Sequence, residues 1–128
     1  MVERVGTIDL IEPGDIWVFA YGSLMWDPGF EYEAREPALV SGFHRAFCVS
    51  SPNYRGTREA PGLVLGLIAG GSCRGIAFRI AKARRRAVMQ YLEAREMPEP
   101  IYHCRHLPGM TAARRRSAYA FVVNRGHE

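Results

Sequence analysis

Glu96 stands in the least ordinary place of any ionisable side chain in this sequence. It follows Leu92 by four residues and Val88 by eight, so on a helix it projects from the face that carries the apolar residues. Two outcomes are open to such a glutamate. At a fraying helix end it bends back to water, the commoner fate of a lone carboxylate. Held in the interior it loses solvation, its pKa rises, and it becomes a usable general base near neutral pH. The second chemical feature is Tyr21-Gly22-Ser23-Leu24, which ends the continuous apolar run Ile16-Trp17-Val18-Phe19-Ala20. Such a run is typical of strands buried on both faces. Gly-Ser at that point is either a plain strand-ending turn or a small concavity of backbone N–H groups that can hold an anion. A cradle together with an inward carboxylate suits acid–base chemistry on a small zwitterionic substrate, without a cofactor.

Other chemistries find less support. A metal site would have to come from His103-Cys104-Arg105-His106, but strand alternation sends His103 and Cys104 to opposite faces and no second ligand cluster exists, so no metal is expected. Ser23 lacks the second glycine of a nucleophile elbow, and no His–Asp pairing stands out. Phosphate-loop and dinucleotide fingerprints are absent. The formal charge of +4 comes from arginine, Lys82 being the sole lysine, and it concentrates in Arg84-Arg85-Arg86 and Arg114-Arg115-Arg116. These clusters are either solvated faces or a footprint for a polyanion. No zinc-finger or aromatic RNA-binding signature accompanies them, which argues against nucleic acid as partner.

The elements that must position these residues read as an α+β domain. A turn at Trp26-Asp27-Pro28-Gly29-Phe30 follows the first strand, and Glu31 to Glu36 is polar surface. From Ala38 the pattern is strand-like, with Gly42 a bulge. Phe43, Arg45, Phe47 and Val49 share one face, and His44, Ala46 and Cys48 the other. Arg45 on that aromatic face is either a charge at a barrel mouth or a rim residue that snorkels. A loop rich in turn formers contains Arg55-Gly56-Thr57. Leu63–Ile68 and Cys73–Ile80 then read as a hairpin turned by Gly70-Gly71-Ser72. One helix is expected from Ala81 to Met97, its stripe made of Ala87, Val88, Tyr91 and Leu92, stopped by Pro98. A strand Ile101–Leu107, a turn at Pro108-Gly109 and a last strand Ser117–Asn124 complete the set. The short connections favour a mainly antiparallel mixed sheet curled into a small barrel, with one main helix after the central hairpin.

At 128 residues the chain is long enough for one core, and residues 1–15 read as a loosely held leader before a domain spanning 16–128. No apolar run is long enough to cross a bilayer and no signal pattern opens the chain. Cys48, Cys73 and Cys104 are odd in number and far apart, which points to free thiols in a reducing cytoplasm.

Beyond this reading, the sequence resembles the γ-glutamylcyclotransferases, in particular the ChaC-like, glutathione-specific branch. The resemblance runs from about Trp17 to Asn124. It rests on Tyr21-Gly22-Ser23-Leu24 with Trp26, on Arg45 and Phe47, and on Arg55-Gly56-Thr57 before Pro61-Gly62. Gly75, Ala77, Phe78 and Arg79 and then Tyr91-Leu92-Glu93-Ala94-Arg95-Glu96 complete it. The resemblance implies that Glu96 is the catalytic acid/base, that Tyr21, Gly22, Ser23 and Leu24 hold a γ-glutamyl head group, and that Arg55 belongs to the substrate site. It implies a lyase without cofactor that cleaves glutathione to 5-oxoproline and Cys-Gly. It also implies that the family's C-terminal segment is lacking, which would bare apolar surface and favour a homodimer. Glu93 stands where the family has Asp, and Met97-Pro98-Glu99-Pro100 where it often has a glycine-rich turn. Alternative readings are a catalytically weak γ-glutamyl-binding module, a polyanion-binding domain, or cleavage of γ-glutamylamines other than glutathione.

Overall fold

The structure is a computed structural model that describes residues 3–49, 63–96, 102–111 and 115–123. A short hairpin, β1 (Glu3–Val5) and β2 (Ile8–Leu10), precedes β3 (Ile16–Ala20), β4 (Ala34–Val49), β5 (Leu63–Ile80), the helix α1 (Arg85–Glu96), β6 (Tyr102–Thr111) and β7 (Arg115–Val123). The strands β3 to β7 close into a barrel in the order β3-β5-β4-β6-β7. Every pairing is antiparallel except the one that closes the ring, where β7 runs parallel to β3 with Val18 opposite Tyr119. The expected small mixed barrel with one main helix is the observed fold.

Because β3 has a partner on each side, alternation divides its apolar run between two cores. Trp17, Phe19 and Tyr21 fill the barrel with Leu67, Leu107 and Val122. Ile16, Val18 and Ala20 face outward, where Val88, Met89 and Leu92 of α1 cover them. The helix face differs from the expected stripe. Arg85, Val88, Met89 and Leu92 are buried, while Ala87 and Tyr91 are exposed. Arg85 can be buried because its guanidinium is fully engaged. It pairs with Glu3 at 2.7 Å and donates to the carbonyls of Glu12 at 2.5 Å and Gly14 at 2.8 Å. Its neighbours in the cluster also have internal partners, Arg84 with Glu31 and Arg86 with Glu3.

Three further expectations are corrected. The segment read as a loose leader carries the β1–β2 hairpin, whose Val5, Ile8 and Leu10 are buried in the outer core. The Leu63–Ile80 stretch is not a hairpin but one continuous strand, paired along its length with β4. Gly70 and Gly71 have positive φ, as has Gly42 opposite them, where the register shifts between Ser41 and Phe43. The glycines therefore bend a strand pair around the barrel. Both halves of β5 find their partner in β4, so neither has to pair with the other. Pro108-Gly109 likewise lies inside β6, opposite Ser117 and Arg116. Pro108 falls just outside the Gly109–Thr111 stretch that pairs with β4, an edge position where a missing N–H is tolerated.

Candidate active site

The signature residues leave the barrel together at the end of β3. Tyr21 points inward, and its hydroxyl donates to the Phe121 carbonyl at 2.5 Å, tying the strand end to β7. Ser23–Met25 form a single 3-10 turn. Met25 N–H donates to the Gly22 carbonyl at 2.9 Å, and the N–H groups of Trp26 and Asp27 donate to the Ser23 carbonyl at 3.2 and 2.8 Å. The turn's own bonds therefore begin at Met25 and leave the amides of Ser23 and Leu24 outside its ladder. Leu24 anchors the turn in the outer core, whereas Ser23 is exposed. A Cβ on Gly22 would stand 3.4 Å from Leu65 of β5, so the loop rests against the long β4–β5 pair.

The helix end is bound to this loop through Arg95. Its Nη1 donates to the carbonyls of Asp27 at 3.0 Å and Pro28 at 3.2 Å and to the Tyr91 hydroxyl at 2.9 Å, and its Nη2 donates to Ser23 Oγ at 3.3 Å. Gly29 fits beneath Tyr91 with φ of +74°, and a Cβ there would meet the phenol oxygen at 2.1 Å. The turn read at Trp26–Phe30 lies earlier, at Ser23–Trp26, and Pro28 and Gly29 form no hydrogen-bonded turn of their own; at position 29 only glycine satisfies both the conformation and the contact. Glu96, the last residue of α1, follows Arg95 directly. The loop Tyr21–Leu24 and the helix terminus that ends in Glu96 therefore meet at one end of the barrel. Arg55 lies outside the described residues.

Sequence reasoning missed the connectors. Arg95 was visible only as a letter of a motif and Tyr91 as part of the expected apolar stripe, although their i, i+4 spacing is that of a helix-surface pair. Glu93 also works at a distance: its Oε2 accepts Thr7 N–H at 2.8 Å and Thr7 Oγ1–H at 2.7 Å, pinning the β1–β2 hairpin to α1. On the same side of the barrel Glu12 lies 2.7 Å from His106 Nε2 and accepts the Tyr119 hydroxyl at 2.6 Å. Tyr119 Oη in turn accepts the Ile11 N–H at 3.0 Å. Burial first, and then Glu12, raise the Tyr119 pKa. The Cys104 thiol beside this network is pushed up to about 12 by burial and by the Glu93 carboxylate. Among the described residues no group of His, Cys, Asp and Glu is arranged to hold a metal ion, and no helix is long and apolar enough to cross a membrane.

Known proteins share both the sequence pattern and the fold of this chain. Residues 16–127 match the model of the family described as ChaC-like protein. A glutathione-specific γ-glutamylcyclotransferase of Escherichia coli (strain K12) is 38% identical over 71% of this chain. One from Schizosaccharomyces pombe is 37% identical over 66% of it. These matches cover 39% and 49% of the two relatives, so the chain spans about half or less of their length. A crystal structure of a glutathione-specific γ-glutamylcyclotransferase from yeast superposes with a TM-score of 0.76 over 86% of this chain and 69% of that one, at 21% identity. YkqA from Bacillus subtilis superposes with a TM-score of 0.67 over 88% of this chain and 41% of that one, at 20% identity. These superpositions speak for the fold. With the family match extending over nearly the whole sequence and the signature loop and helix end joined as described, this chain belongs to the ChaC-like family.

Proposed function

We propose that this domain is a glutathione-cleaving γ-glutamylcyclotransferase in which Glu96 is the general acid/base and Tyr21-Gly22-Ser23-Leu24 hold the γ-glutamyl head group. The observation that carries the reading is the Arg95 bridge, which fixes the helix end bearing Glu96 against that loop. The relatives named for this activity supply the substrate class. In the proposed reaction the α-amine of the γ-glutamyl group attacks its own γ-carbonyl carbon. A carbon–nitrogen bond forms within the substrate and the amide bond to cysteine breaks, giving 5-oxoproline and Cys-Gly without water. Holding amine and carbonyl in one molecule is worth an effective molarity of up to about 10⁵–10⁸ M once the chain is folded back on itself. Glu96 takes the proton that the α-ammonium must lose and returns one to the departing cysteinyl nitrogen, a contribution of about 10²–10⁴-fold. The amides of Ser23 and Leu24, outside the ladder of their turn, are offered to the substrate carboxylate or to the oxyanion that develops at the amide. Arg55 is assigned to the same site on the resemblance alone. No cofactor enters the scheme, and free thiols at Cys73 and Cys104 suit a cytoplasmic setting.

The test is 5-oxoproline release from glutathione by the purified chain and by Glu96→Gln. Release should fall by at least 10²-fold in the variant, which keeps the shape and removes the base. Equal release by both proteins would remove Glu96 from the mechanism. Glutathione binding without release by the unsubstituted chain would leave a binding module.

A further inference from the structure

Among the described residues Arg4, Arg79, Arg84, Arg85 and Arg86 each pair with a carboxylate. The other arginines do not, and two of these, Arg45 and Arg105, lie on the inner face of the barrel, opposite Leu67 and Ala120. Arg45 is held in place even so: its Nη2 donates to the Arg74 carbonyl at 2.7 Å, and its guanidinium lies beside the buried Cys73 thiol. Arg105 lies over the Phe43 ring at 5.8 Å.

Strand register places these groups beside the signature loop. Phe47 is opposite Leu65 and Arg45 is opposite Leu67, and residues paired in this way share a face. It is the face turned to the barrel interior, because Leu67 belongs to the inner core and Leu65 and Phe43 pack against it. Leu65 is also the residue on which Gly22 rests. Moving away from the loop, the surface therefore runs from Leu65 past Phe47, an aromatic ring 73% exposed, to a fixed guanidinium that no carboxylate of the described residues neutralises. An exposed ring and a guanidinium without a carboxylate partner among the described residues, both on the strand pair beside the loop, form a surface matched to a ligand with an anionic end.

We propose that this surface is the subsite for the departing half of the substrate, with Arg45, assisted by Arg105, binding a terminal carboxylate and Phe47 covering the peptide between. The inference rests on the proposed cyclotransferase reading and extends it to the choice of leaving group. Arg45 reaches the strand end from which the loop leaves: the Arg74 carbonyl that holds it lies two residues before Ile76, which pairs with Ala20. The two residues that follow the scissile amide in a γ-glutamyl dipeptide span at most about 7 Å. The ligand class is thus a γ-glutamyl peptide with a free carboxylate two residues beyond the cleaved bond. A γ-glutamylamine without that carboxylate leaves Arg45 unanswered. The subsite selects among substrates that all present the same head group.

The experiment compares glutathione with its glycine amide, in which the carboxylate alone is neutralised. The unsubstituted chain should prefer glutathione in kcat/KM by about tenfold or more, as expected for a charge-assisted bond. Arg45→Gln should bring the ratio close to one, and Arg45→Lys should restore part of it. Because each ratio is taken within one protein, a general loss of folded protein cancels. The same two ligands are titrated calorimetrically into Glu96→Gln and into Glu96→Gln/Arg45→Gln. If Arg45→Gln lowers turnover of both ligands equally, or of neither, the subsite is overturned and the cyclotransferase reading stands. If no protein releases 5-oxoproline, yet glutathione binds more tightly than its amide in an Arg45-dependent way, the activity falls and the subsite stands. Equal binding of both ligands overturns the subsite whatever the activity.

Discussion

Arg95 shows how little of a residue's role can be read from its place in the chain. Its partner Ser23 is 72 positions away, and Asp27 and Pro28 are nearly as distant. Tyr91, four residues earlier, is the only partner that sequence spacing could suggest. The planar fork of a guanidinium reaches two carbonyls and two hydroxyls at once, and a lysine ammonium does not reproduce that geometry. In the proposed reaction Arg95 is therefore a positioning residue for the Tyr21–Leu24 loop and for the helix end that carries Glu96. Arg95→Gln should raise KM and lower kcat/KM by about tenfold or more at temperatures where the fold is intact, and Arg95→Lys should recover little of it. Steady-state kinetics alongside a thermal melt checks this. Normal kinetic constants in a protein of reduced melting temperature would confine Arg95 to a structural role. The Tyr21–Leu24 loop and Glu96 stand out in the sequence because each breaks a hydrophobic pattern. The residue that joins them breaks none.

At the scale of elements, legibility depended on how many partners an element has. The strand Ile16–Ala20 could be read directly, because burial on both faces leaves an unbroken apolar run. The last strand, β7, was legible for the same reason. The glycines at 70 and 71 could not be assigned from composition. A pair of positive-φ residues serves equally to reverse a chain and to bend a long strand, and the choice belongs to β4, which lies outside the local sequence. The N-terminal hairpin was missed because its strands are only three residues each and flanked by acids, so no period emerges. Its contribution is nonetheless that of core. Leu10 is fully buried among Val5, Ile8 and residues of the barrel, and Glu93 fastens the connecting turn through Thr7. Leu10→Ala should cost about 2–5 kcal/mol of stability, measured as a shift in urea midpoint. A loosely held leader would make the same substitution nearly silent, within about 0.5 kcal/mol. A midpoint that does not move would return residues 1–15 to that role.

For the whole molecule, one of the two arginine clusters is less basic than the sequence suggests. Arg84, Arg85 and Arg86 are bound to Glu31 and Glu3 and to backbone carbonyls, so that stretch is partly neutralised within the fold. The helix-side core instead has a sensitivity at alkaline pH. There the Cys104 thiol is raised to about 12, by burial and then by Glu93, and the Tyr119 phenol is raised by burial and by its bond to Glu12. Both groups are neutral when protonated, so a folded pKa above the unfolded one means that the unfolded chain gives up its proton first. Their stabilisation is complete below the unfolded values, near 9 for the thiol and 10 for the phenol. It is lost as pH rises from there through the folded values. Each group contributes a slope of up to about 1.4 kcal/mol per pH unit over its window. Urea midpoints in the presence of reductant should therefore fall between pH 9 and pH 11 more steeply for the unsubstituted chain than for Cys104→Ala. The stability gap between the two proteins, wide at pH 8 because the variant leaves a small cavity, should narrow as pH rises. A gap that stays constant over that range would mean that Cys104 ionises as readily in the folded domain as in the unfolded chain, and that the core between α1, β6 and β7 is open to water.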